Sequence, residues 1–274
     1  MQNKNIGKSI KLKPLRPNVG LAVEFYEPQK RLIEKMYLDV KKELISVFKE
    51  TKFGYAIDAS ISSQSRISLN RLSKKWDQKF DRLAKRITKK MIDGNIKNSA
   101  ISIENSFKNV MEIDTSFSNE ILKEVIGASA QEAANLIKLI PSKFINDVQG
   151  QVMRSITTGE GLKDLVPFLK EKYQGDIKKA RNTALDQTRK AYQSINTSRL
   201  KSMGVKKFIW KHSGGGKTPR QNHVRMSGNE YSFDDPPIIG VMYGSEVKGL
   251  PADLPNCRCF YIPIIELDLK KDEK

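Results

Sequence analysis

The change of pattern at Gly204 constrains this chain more than any other feature of it. Upstream, apolar residues recur at three- and four-residue steps, the period of helices that bury one stripe. Downstream come short apolar runs separated by Gly and Pro, and both cysteines of the chain, Cys257 and Cys259, with His223 ahead of them. The expected fold is therefore α+β: a mostly helical N-terminal region followed by a small α+β C-terminal domain with few strands and long loops.

Residues 1–28 read as an extended N-terminal arm, because Pro14, Pro17, Pro28, Gly7 and Gly20 oppose a long helix. A helix is expected from about 29 to 50 (Leu32, Ile33, Met36, Val40, Leu44, Val47) and another from 66 to 92 (Leu72, Trp76, Phe80, Leu83, Ile87). Weaker helices with a break near 111–118 lead to Pro141, which is read as a domain boundary. Residues 29–141 thus form a helical region, 142–265 a second domain and 266–274 a charged tail. Within 142–265 the pattern predicts short helices at 142–157 and 161–173 and a longer one at 176–203 capped by Gly204. Strands follow at 205–210 and 258–265.

Charge narrows the partners. The chain has 274 residues with 49 Lys+Arg against 31 Asp+Glu, a net +18. It is spread evenly, +10 over residues 1–141 and +8 over 142–274. Such a balance suits a polyanionic partner, or simply a lysine-rich solvated surface. The most basic local face is that of the 66–92 helix: Arg71, Lys74, Lys75, Lys79, Arg82, Lys85, Arg86, Lys89 and Lys90. It suits a phosphate backbone, or is the outer face of a bundle helix. No aromatic residues interleave on that side, so stacking on single-stranded bases is not indicated. No apolar run approaches the roughly 18 residues of a membrane span, and no apolar segment follows the basic N-terminus, as a secretory signal would require.

Ser213-Gly-Gly-Gly-Lys217-Thr218 follows a strand but is not a phosphate-binding loop, since Lys211 stands where its first glycine is needed and Pro219 blocks the helix. Cys257-x-Cys259 at the head of a strand puts two thiols on one face. With His223 they suit zinc, with His212, Asp253 or water as a fourth ligand, or else they are small buried groups beside a hydrogen-bonded histidine. Arg220 and His223 with Asp234 or Asp235 are the residues from which an acid/base centre would be assembled, though no spacing fixes them on one face. Trp210 reads as a core anchor, and Asp186, Gln187 and Thr188 as polar helix residues bonding to the adjacent loops.

The ordered series Asp186-Gln187-Thr188, Met203-Gly204-Val205, Trp210, Arg220-x-x-His223, Gly228, Phe233, Pro236-Pro237 and Cys257-Arg258-Cys259 resembles the phage Mu F-like family of head morphogenesis (minor head, or minor capsid) proteins, over about residues 143–265. Three departures stand out: Leu185 where the family has Arg, Gly-Gly-Gly-Lys in place of an acidic turn, and Pro251–Pro255 in place of a His- or Gly-rich stretch. The resemblance implies a virion component of low copy number at the portal vertex or in the head interior, made in the host cytoplasm. Its partners would be portal protein, capsid protein and packaged double-stranded DNA, with no membrane. It implies no enzyme and no required cofactor. The rival reading is a metal-dependent nuclease or toxin-like enzyme centred on His223, Cys257 and Cys259.

Overall fold

The computed structural model describes residues 8–50, 60–108, 110, 120–216 and 218–267. Its order is β1 (Lys8–Lys11), α1 (Val19–Glu50), α2 (Ile61–Phe107), α3 (Glu120–Thr157), α4 (Leu162–Ser202), β2 (Lys207–Lys211), α5 (Gln221–Arg225), β3 (Glu230–Ser232), β4 (Ile238–Met242), β5 (Ser245–Lys248) and β6 (Phe260–Leu267). The fold is α+β, with long helices first and a small sheet region after them. None of these helices is long and apolar enough to cross a membrane among the described residues.

The chain divides into two compact units, and neither is continuous in sequence. One comprises residues 22–91 and 130–185, the other 1–21, 92–129 and 186–274. These boundaries differ from a simple division at Pro141, because α2, α3 and α4 each contribute residues to both units.

The helical unit is built by stripes. Ile33, Met36, Val40 and Leu44 of α1, Leu69, Leu72, Trp76 and Phe80 of α2, and Phe144, Val148 and Val152 of α3 are all buried. Two prolines sit inside these helices. Pro28 lies within α1, so residues 19–28 are helix rather than extended arm. Asn18 caps the start, its Oδ1 accepting from the Gly20 N–H at 2.8 Å. Beside the gap that Pro28 leaves in the backbone ladder, the Gln29 side chain donates to the Phe25 carbonyl at 2.8 Å. Pro141 likewise lies within α3 and ends nothing. A helix-interior proline costs about 3 kcal/mol. The stripe Ala133, Ile137, Phe144, Val148, Val152 runs through it, and each large apolar side chain buried contributes roughly 1.5–3 kcal/mol. Burial outweighs the proline. α4 is likewise one helix where separate helices at 161–173 and 176–203 were expected. The expected break near 111–118 lies outside the described residues.

The sheet unit carries a four-stranded antiparallel sheet of order β1-β6-β2-β3 and a separate hairpin β4-β5. Residues 8–15 are built into this unit rather than extended from it: β1 is an edge strand, with Ile10 opposite Ile265 and Lys11 opposite Ile264. Leu12 and Leu15, both buried, carry it into the core. Pro263 explains where this pairing stops. Its carbonyl accepts from the Leu12 N–H at 2.9 Å, but it has no N–H to return, and β1 ends at Lys11. β6 reaches Leu267, so the strand runs past 265 into the segment expected to be a charged tail. The core gathers Phe107, Tyr192, Phe208, Trp210, Phe233, Tyr261 and both cysteines.

Candidate metal centre in the sheet unit

Gly204 adopts φ +78 and ends α4 as expected. β2 then delivers Trp210 into the core with no exposed surface. The backbone returns at Gly228, whose φ of +101 excludes a side chain without strain and whose N–H donates to the Trp210 carbonyl at 2.8 Å. Between these points α5, one short turn, carries His223 inward against Trp210, ring edge to ring face at 5.1 Å between centroids.

His223 is fixed at both ring nitrogens. Nε2 donates to the Ile239 carbonyl of β4 at 2.9 Å, which leaves the Nδ1 lone pair facing the opposite way. There it meets two sulfurs at once, Cys257 Sγ at 3.5 Å and Cys259 Sγ at 3.6 Å. The three donor atoms lie within 4.8 Å of one another, and all three residues are buried. Residues 257–259 are a loop leading into β6, not yet a strand, but side chains still alternate: both cysteines point inward and Arg258 outward. The thiols are not equivalent. Cys257 is lowered well below an ordinary thiol, first by a hydrogen bond from Cys259 and also by His223, against the effect of burial. Cys259 is raised, first by that same bond and then by burial, with Trp210 and Arg220 acting the other way.

The surrounding loop is clamped from two sides. Arg220 donates through Nη2 to the Pro255 carbonyl at 3.0 Å. Asp186 of α4 accepts from the Asn256 N–H at 2.6 Å, where Asn256 takes the left-handed conformation (φ 60). Burial raises the Asp186 carboxyl, and this bond opposes the rise. The neighbouring Gln187 and Thr188 are buried in the same unit.

Other candidates stand apart. Asp234 pairs with Lys201 and Asp235 with Lys248, each at 2.7 Å, so neither joins Arg220 and His223 in an acid/base centre. His212 Nδ1 accepts from the Gly214 N–H at 3.1 Å, and Asp253 accepts from the Leu250 N–H at 2.7 Å. Neither belongs to the sulfur–imidazole cluster. Lys217 of the glycine loop lies outside the described residues. The partner that orients the site, the carbonyl of Ile239, carries no sequence signal, since any residue supplies one.

In the helical unit, the basic face of α2 is partly neutralised. Arg71 pairs with Glu43, Lys75 with Asp39, Lys85 with Asp81 and Lys90 with Glu24. Lys79 lies 4.6 Å over the Trp76 ring. Lys89 is exposed and engaged in an interaction of its own. Lys74, Arg82 and Arg86 are exposed and make no ion pair among the described residues. They lie on a single i, i+4 ridge with Gln78 between the first two.

A small antiparallel sheet closed by a His–Cys–Cys cluster defines an α+β module of a particular kind. Residues 146–262 match the model of the family described as Phage Mu protein F like protein. An uncharacterized protein of Haemophilus influenzae is 25% identical over 264 residues, 93% of this chain and 56% of its own length. The Bacillus subtilis (strain 168) uncharacterized protein YqbB is 30% identical over 155 residues, 53% of this chain and 50% of its own. The chain thus spans about half the length of these curated relatives. No solved structure matches it.

Proposed function

We propose that this chain is a phage minor head protein, a non-enzymatic component that acts in head assembly at the portal vertex. The observation that carries the reading is the Mu F-like match over residues 146–262. Two others support it. The net charge of +18 suits work beside packed DNA. The β4-β5 hairpin holds Val241 and Tyr243 out in solvent, with Tyr243 fully exposed at its tip, a surface of the kind protein contacts use. In this reading the protein is present in few copies per particle and binds portal and capsid proteins through such surfaces. It meets DNA without sequence specificity through the Lys74, Arg82, Arg86 ridge.

The test is a reconstruction of particles from a phage or prophage encoding this chain, with the protein quantified in the purified heads. Density at the portal vertex or inner wall is expected. Its absence from particles overturns the reading, and metal-dependent cleavage of DNA by the purified chain would replace it with the nuclease alternative. For the DNA contact, changing Lys74, Arg82 and Arg86 to Glu together should weaken duplex binding at least tenfold at low salt and flatten its salt dependence by about 3 in the log–log slope. Unchanged affinity removes α2 from the interface.

A further inference from the structure

The structure assigns His223 Nδ1, Cys257 Sγ and Cys259 Sγ as three ligands of a single zinc ion in the sheet unit, with the fourth position left to water. The inference concerns residues of this chain alone and does not depend on the role in head assembly.

The first argument is metric. Zinc bonds of about 2.3 Å to sulfur and about 2.05 Å to nitrogen, meeting at a tetrahedral angle, place each sulfur about 3.6 Å from the nitrogen. The two observed separations are 3.5 and 3.6 Å. A single hydrogen bond would explain one of them. The imidazole offers one in-plane lone pair at Nδ1, so two sulfurs at equal range around it satisfy a cation better than a proton.

The second argument is orientation. A histidine ligand almost always donates its other ring N–H to a carbonyl or carboxylate, which fixes the tautomer and aims the lone pair. His223 Nε2 does this to Ile239 at 2.9 Å. The donor set then comes from α5 and the loop before β6, held by β4, three places that hydrogen bonds alone join loosely.

The third argument is an unspent donor. Trp210 Nε1 is buried with no conventional acceptor among the described residues, yet the ring bears on Cys259. A metal-bound thiolate keeps lone pairs available to such an N–H, whereas a neutral thiol is a weak acceptor. Two thiolates also balance the charge of a divalent ion, so burial of the set costs little net charge. Among the described residues no further His, Cys, Asp or Glu joins the cluster, which leaves the fourth position to solvent.

The experiment uses the full chain, purified reduced and without chelator, with zinc content measured and cobalt(II) then exchanged into it. One equivalent of zinc is expected. The cobalt form should show thiolate-to-cobalt charge-transfer absorption of two-sulfur intensity, together with the visible bands of four-coordinate cobalt. Cys257→Ser and Cys259→Ser should each lower affinity by more than the roughly 10–100-fold that outer-shell changes cost. His212→Ala should keep the full equivalent, since its ring is engaged with Gly214. Because the cysteine variants risk misfolding, alkylation of the wild-type thiols supplies an independent reading: slow with zinc, fast after chelation, slow again when zinc is restored. Wild-type protein without stoichiometric metal and without the charge-transfer band overturns the assignment. So does metal that survives either cysteine change, or that is lost in His212→Ala.

Discussion

The helical unit and the sheet unit hold themselves together in opposite ways. In the first, stability is distributed: every third or fourth residue of each helix adds a similar increment, and Pro28 and Pro141 are absorbed because the stripe continues on either side. In the second, it is concentrated in a few unlike groups that each meet several others. Trp210 touches the His223 ring, faces Tyr231 and bears on Cys259. Tyr261 packs on Phe208 and Phe233 while its hydroxyl lies 3.0 Å from Thr197 Oγ1 and donates to the Gln193 carbonyl at 3.3 Å. Repetition tolerates local defects. Convergence does not.

Replacing one indole in each unit breaks or sharpens this contrast most directly. Trp210→Ala should cost about 5 kcal/mol, the upper end for a buried aromatic, and Trp76→Ala nearer 3 kcal/mol. Both are read by denaturant unfolding, with near-ultraviolet dichroism for aromatic packing. Equal losses would mean that convergence confers no special sensitivity.

A smaller effect probes a place where the helical unit also concentrates charge. Lys172 is half-buried between Asp176 at 2.8 Å and Asp147 at 3.1 Å. Burial works to lower its pKa, but the bonds and charges of Asp176 and then Asp147 outweigh it and leave it raised. Lys172→Met should cost about 1–3 kcal/mol, because Asp176 Oδ1 loses the ammonium it bonds and the carboxylate's other oxygen is already buried without a partner. The sign of the pH dependence follows from the raised value. Stabilisation is fully present below the ordinary lysine pKa of 10.5 and is lost as pH rises through the higher folded value. Unfolding measured from neutral pH to beyond that point should show the variant and wild type converging. Constant separation would show that the ammonium acts by packing alone.

The least effect is expected at the surface of the sheet unit. Lys201→Ala should change stability by no more than about 0.5 kcal/mol, since its pair with Asp234 is open to solvent. A loss above about 1 kcal/mol would show that even the rim of this unit is convergent.

The two styles also differ in what the bare sequence reveals. Periodicity located α1 and α2, because burying a stripe leaves its spacing in the residues. It misjudged the start of α1, since proline's penalty at Pro28 is legible locally while the burial that overrides it is not. The strand to Trp210, the Gly204 cap and the His223, Cys257, Cys259 set were legible because few residue types do those tasks. The pairing of β1 with β6 was not legible. Ile10, Leu12 and Leu15 are too few to show a period, and backbone pairing leaves no mark on residue type. The Ile239 carbonyl and the Asn256 N–H were hidden for the same reason. Asp186 gave two signals, as a poor helix former in mid-helix and as the head of the Asp186-Gln187-Thr188 motif.

The pairing of Ile10 with Ile265 has a consequence in time. A growing chain emits β1 long before β6, and the first strand must wait until residues 260–267 exist to receive it. Through that interval Leu12 and Leu15 have no strand to lie against, and closing so long a loop delays the sheet further. The helical stripes need only residues that have already emerged through position 185. Synthesis therefore orders the events: helices gather early, and the sheet unit sets only once β6 has emerged. A ribosome stalled short of residue 260 should display a helical product whose first strand is still open to proteases and to chaperones.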